Sequence, residues 1–97
     1  MSTYVSMLNW TNQGMESIKE SPARLNTFKS ELKKAGAKFK SFYLTMGAYD
    51  MVVVFEAPDD ETAARILLAI GAKGTVNSQT SRAFTEDEYR KIIESLP

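Results

Sequence analysis

Met46-Gly47-Ala48-Tyr49-Asp50-Met51-Val52-Val53-Val54-Phe55 sits near the middle of the 97-residue chain and decides how the rest is read. A glycine-centred break is followed by five apolar residues in a row, so the residues after the break form a strand that offers no polar face to water. Residues 38 to 46 and 50 to 57 are the two strand candidates. The three residues Gly47-Ala48-Tyr49 between them are too few for a crossover, which requires an antiparallel hairpin with Gly47 at a positive φ.

Outward from this hairpin the elements fall into place on both sides. Residues 3 to 10 are aromatic and β-branched and too short for a core helix, so they read as a first strand, and Thr11-Asn12-Gln13-Gly14 turns the chain. Ser21 followed by Pro22 marks a helix start, running to about Ala35 and ending at Gly36. Leu25, Phe28, Leu32 and Ala35 recur along one face of it, with Lys29, Glu31, Lys33 and Lys34 elsewhere. After the hairpin, Pro58-Asp59-Asp60-Glu61 stops the strand and gives a second helix an acidic first turn. That helix is apolar around more than one face, through Ala63, Ala64, Ile66, Leu67, Leu68 and Ile70, and Gly71 and Gly74 bracket its end. Residues 75 to 84 form a last strand, polar on both faces in its middle. Thr85 and Glu88 have the spacing of a capping box for a short final helix, expected to carry Tyr89, Ile92, Ile93 and Leu96 toward the body.

The order β-α-β-β-α-β plus a helix predicts an α+β, ferredoxin-like domain: two helices over one face of a four-stranded antiparallel sheet. No linker or low-complexity tract interrupts residues 1–97, so one domain is expected. A chain of this size hides only about 60 to 65% of its unfolded surface. Yet both helices of this topology lie on one face, while the 51 to 55 run is apolar on both. The first strand repeats the pattern, with Val5 and Met7 on one side and Tyr4, Leu8 and Trp10 on the other. A second copy packed sheet to sheet would cover the open face; the alternative is that the final helix folds across it. A homo-oligomer is the expectation.

Composition removes much of the common chemistry. The chain has no cysteine and no histidine, which excludes disulfides, thiolate sites and the Ser-His-Asp triad, and leaves Asp, Glu, Lys and Tyr as acid–base groups. Twelve basic and twelve acidic side chains balance, so a phosphate-neutralising surface and nucleic-acid binding are not expected. No stretch approaches a membrane span and no cationic leader opens the chain, so neither membrane association nor export is expected and a cytoplasmic location is the default. No metal cluster or phosphate loop is present, and no cofactor is expected.

Gly47-Ala48-Tyr49-Asp50, with alanine between the glycine and Tyr-Asp, resembles the signature of the GYD domain family. Thr3-Tyr4-Val5, Thr11-Asn12-Gln13-Gly14, Ser21-Pro22 with Arg24, Glu56-Ala57-Pro58-Asp59-Asp60 and Thr80-Ser81-Arg82-Ala83-Phe84 are similar to the family's blocks in the same order. The resemblance implies a ferredoxin-like fold of the dimeric α/β-barrel type. It implies no established activity and supplies no functional residues.

Candidate site residues come from the chain itself. Tyr49 and Asp50 lie at the hairpin, where the aspartate either bonds turn amides or acts, beside a phenol, as a base or a binder of cationic or hydroxyl groups. Arg82 is the one charge in the last strand, either paired with Asp50 or Glu56 or free to take a carboxylate or phosphate, and a shared environment for Asp50 and Arg82 is the sharper expectation. Asn77 and Gln79 lie with Ser81 on one face of that strand, either a polar wall in an apolar cavity or a solvated edge. Trp10 and Tyr43 would add aromatic walls. Three functions stay open: a small-molecule binding or sensing oligomer with its pocket on the sheet face, a cofactor-independent enzyme, and an assembly module without ligand.

Overall fold

A computed structural model describes residues 1–97. The element order is β1 (Ser2–Trp10), α1 (Asn12–Glu16), a single 3₁₀ turn (Ile18–Glu20), α2 (Ser21–Lys34), β2 (Lys38–Leu44), β3 (Met51–Ala57), α3 (Asp60–Ala72), β4 (Val76–Ala83) and α4 (Glu86–Glu94). The strands form one antiparallel sheet in the order β2-β3-β1-β4, which is the ferredoxin-like arrangement. No helix is long and apolar enough to cross a membrane.

Register decides which side chain meets which layer. Tyr4 pairs with Phe55, Ser6 with Val53 and Leu8 with Met51, and all six are buried beneath the helices. Their neighbours in the alternation, Val5, Met7, Val52 and Val54, point to the opposite face, where Met7 is exposed and the valines are only half-buried. Phe55 stacks on Tyr4 at 5.3 Å and meets Phe28 of α2 edge-on at 6.2 Å, so the core is centred where β1, β3 and α2 converge.

The helix starts follow from local chemistry. Asp59 caps α3, its carboxylate accepting the Thr62 amide at 2.8 Å, and that bond holds its pKa below the ordinary carboxylate value. The capping box of α4 is complete: Thr85 Oγ1 accepts the Glu88 amide at 3.2 Å and Glu88 accepts the Thr85 amide at 2.9 Å.

Four expectations give way to the structure. Thr11–Gly14 is not a simple turn, because Thr11 Oγ1 accepts the Gly14 amide at 3.1 Å and nucleates α1. Ser21 caps nothing; α2 is entered from the 3₁₀ turn, and the Ser21 hydroxyl accepts the Trp10 indole N–H at 3.3 Å instead. The β2–β3 connection is longer than three residues, since β2 stops at Leu44, leaving Met46 99% exposed. Gly47 does have a positive φ, of 153°. Finally, α4 does not carry its apolar residues to the body. Tyr89, Ile92, Ile93 and Leu96 are 44 to 61% exposed, and neither face of the sheet is covered by them. An Arg82–Glu88 ion pair at 3.8 Å ties only its first turn to the sheet.

Candidate ligand-binding site

Burial along α2 is uneven. Ser21, Arg24, Leu25, Phe28 and Leu32 share one face at helical spacing, yet only Leu32 is fully buried and the first four are half-buried. The helix therefore seats firmly at its C-terminal end and stands off the sheet at its start. The space beneath is a cavity of about 460 Å³ between the sheet and the two covering helices. Its floor is Leu8, Met51, Val53, Phe42 and Leu44, its walls are Phe28, Leu25 and Ile18 on one side and Leu67 and Ile70 on the other, and Trp10, Ser21 and Pro22 stand with Arg24 among the remaining lining residues.

The polar groups in this lining are few and held. Ser6 Oγ, fully buried, accepts the Thr80 hydroxyl at 2.8 Å. Trp10 and Ser21 bond each other as above. Arg24 is the single charged lining residue: its Nη1 donates to Ser17 O and Ser17 Oγ, both at 3.1 Å, and its Nη2 donates to Gly14 O at 3.4 Å. Glu20, itself mostly solvated, lies 3.9 Å away. Helix α1, which carries Gly14, packs tightly on the loop before β4. A Cβ at Gly14 would fall 2.1 Å from the Thr75 carbonyl oxygen, so glycine is the residue that fits.

The sequence-derived candidates are scattered around this site rather than gathered into one. Trp10 alone lines the cavity. The Asp50 carboxylate accepts the Trp10 amide at 3.0 Å, and the Asp50 amide donates to Leu8 O at 2.9 Å and Asn9 Oδ1 at 3.0 Å, so the residue ties the hairpin to β1. Arg82 pairs in register with Tyr4, packs its guanidinium 4.3 Å from the Phe84 ring centroid and bonds Ala83 O. Asp50 and Arg82 thus lie near opposite ends of β1, about 15 to 20 Å apart along a strand, and share no environment. Tyr49 donates its phenolic hydrogen to Gln79 Oε1. Asn77 faces Asn9, and Tyr43, 63% exposed, faces Val52. Gln79, Asn77 and Tyr43 lie on the open face, whereas the cavity lies on the helix-covered one.

Sequence reasoning missed Arg24 as a site residue, and one signal for it exists. At i+3 from Ser21 and i−4 from Phe28 it interrupts the apolar stripe of α2, a place where a charge faces the sheet rather than solvent. Tyr4 was also passed over. Its hydroxyl donates to Asp60 Oδ1 at 2.5 Å, and burial, reinforced by that carboxylate, raises its pKa above the ordinary 10.0. It therefore acts as a donor that fastens β1 to α3. No cluster of three or more His, Cys, Asp or Glu is placed to hold a metal ion.

The profile of the GYD domain family matches residues 4–93, nearly the whole chain. The chain belongs to the GYD domain family. Among curated relatives, it is 32% identical over 84 residues to the glutamine synthetase and cystathionine beta-lyase binding protein of Thermus thermophilus, covering 86% of this chain and 88% of that protein. Among solved structures it superimposes on MtbAldR with a TM-score of 0.63 at 15% identity, covering 88% of this chain and 52% of the other. The chain thus spans about half of MtbAldR, and the likeness is one of fold.

Proposed function

We propose that this GYD domain is a binding or sensing module that works as a homo-oligomer and holds a small apolar molecule between its sheet and helices. The observation that carries this reading is the cavity: about 460 Å³, in the size range of small-molecule sites, lined mostly by apolar side chains with a few fixed polar groups. Binding is favoured over catalysis by what the lining lacks. Without histidine or cysteine, an acid or base must be Asp, Glu, Lys or Tyr, and none of these lines the cavity. Melting curves against a panel of small apolar compounds test this. Some should raise the midpoint of the parent protein, and Leu25→Trp, which fills the cavity from α2, should abolish the shift. A parent protein indifferent to every compound would contradict it.

The oligomer rests on different surfaces. Val5, Met7, Val52 and Val54 on the open sheet face, the Tyr89, Ile92 and Ile93 stripe of α4 and Leu96 just beyond it are all left without cover within one chain. A second copy placed sheet to sheet, in the manner of a dimeric α/β-barrel, buries the first set, worth roughly 1.5 to 3 kcal/mol for each large side chain fully covered.

A second reading takes its support from the Thermus thermophilus relative, which is named for binding two enzymes. On that reading the α4 stripe docks on another protein. Co-elution of this chain with glutamine synthetase or cystathionine beta-lyase in gel filtration, lost in Ile92→Asp, is the outcome it predicts.

A further inference from the structure

The lining is mostly apolar, its neutral polar groups Ser6, Trp10 and Ser21 are bonded within the protein, and one lining residue, Arg24, carries a charge. Arg24 holds a quarter of its side-chain surface open while its guanidinium is clamped by three hydrogen bonds to Ser17 and Gly14. A guanidinium has five N–H donors. The three bonds run through Nη1 and Nη2, so Nε–H and one N–H of Nη2 have no protein acceptor. Glu20, the nearest carboxylate, stands at 3.9 Å from Nη1 and is 74% exposed, so it neutralises Arg24 only weakly. A planar cation with two donors free of protein acceptors, held in orientation by Ser17 and Gly14 and lining the same cavity as Trp10, Leu25 and Ile18, suits one kind of head group: a carboxylate or similar oxyanion taken side-on.

We infer that the ligand class of this cavity is an apolar monoanion, with its carboxylate or sulfonate on Arg24 and its hydrocarbon or aromatic body over Leu8, Val53 and Phe42. The inference rests on the small-molecule reading above and adds its charge. A dianion or phosphate ester is disfavoured because no second cation lines the cavity to balance it. A neutral hydrocarbon would fill the space and leave the two remaining Arg24 donors to water, gaining nothing from the charge. A cationic ligand would face the guanidinium at close range with no carboxylate in the lining to offset the repulsion.

Two fluorescent probes of similar body separate the claims: 8-anilinonaphthalene-1-sulfonate, which is anionic, and N-phenyl-1-naphthylamine, which is neutral. The parent protein should bind both, with decanoate displacing the anionic probe. Arg24→Gln should weaken the anionic probe about tenfold or more and change the neutral one less than about twofold, the scale of one charge-assisted hydrogen-bond pair. Because Arg24 also braces α1, Arg24→Lys is measured alongside. It keeps the charge without the fork, and should fall between the parent and Arg24→Gln for the anion. A melting curve on each variant guards against probe uptake by a loosened core. Equal affinity for the two probes in the parent, or equal losses for both in folded Arg24→Gln, would overturn the inference while leaving a neutral-ligand site standing. Failure of the folded parent to bind either probe would overturn the inference and the small-molecule reading together.

Discussion

The two faces of the sheet are built from the same strands, yet they are finished differently. On the helix-covered face, Tyr4, Leu8, Met51, Val53 and Phe55 are packed to 8% exposure or less. On the other, Val5, Met7, Val52 and Val54 stay half-buried or exposed, with no element of the chain over them. The difference teaches where each role can reside. The covered face has an incomplete roof because α2 seats at only one end, so it holds a cavity. The open face has no roof and carries an apolar centre, Val5, Met7, Val52 and Val54, bordered on β4 by Asn77, Gln79 and Ser81, so that centre suits another sheet.

Adjacent valines break this comparison most sharply. Val53→Asp places a carboxylate at a position only 4% exposed, among the apolar side chains of the covered face, and should abolish folding, seen as loss of the cooperative unfolding transition. Val54→Asp, one residue away on the open face, should leave a folded chain that sediments as a monomer. Equal damage from the two would erase the distinction between the faces.

Gly14→Ala sharpens the covered side. The added carbon would meet the Thr75 carbonyl at 2.1 Å, backbone against backbone, so α1 must shift and stability should fall by about 2 kcal/mol. Urea unfolding measures the loss, and a shifted α1 should also loosen the Arg24 clamp.

Tyr4→Phe tests the tie between β1 and α3. Losing the bond to the Asp60 carboxylate should cost about 1.5 kcal/mol near neutral pH. The phenol has a raised pKa in the folded state, so the unfolded chain releases that proton first. Its contribution is complete below the ordinary 10.0 and is lost as pH rises through the folded value. The parent should therefore weaken on the alkaline side more steeply than Tyr4→Phe, and parallel alkaline limbs in denaturation against pH would count against the assignment.

The smallest effect belongs to the hairpin. Nothing lies within 4 Å of a Cβ at Gly47, so Gly47→Ala pays only for its positive φ, about 1 kcal/mol. A melting temperature unchanged from the parent would deny that strain.

What the sequence made legible follows the same division. The sheet was readable because the apolar run of β3 and the two-sided pattern of β1 are local, and so were the Thr85–Glu88 capping box and the positive φ of Gly47, though not the length of the loop around it. The cavity was not, because it arises from how far α2 stands off the sheet, which Ser21, Leu25 and Phe28 do not encode by spacing alone. Arg82 looked like a ligand group since it is the one charge in β4, but register sets it beside Tyr4, with Glu88 of α4 as its partner. The stripe of α4 was visible as amphipathic, whereas its lack of a partner within the chain is a matter of tertiary placement.

The most direct test of separate roles for the two faces is sedimentation velocity of the parent and Val54→Asp, followed at the absorbance of added 8-anilinonaphthalene-1-sulfonate. The parent should sediment as an oligomer carrying probe, and Val54→Asp as a monomer that still carries it. A parent that sediments as a monomer, or a folded Val54→Asp chain that loses the probe along with its partner, would contradict the account.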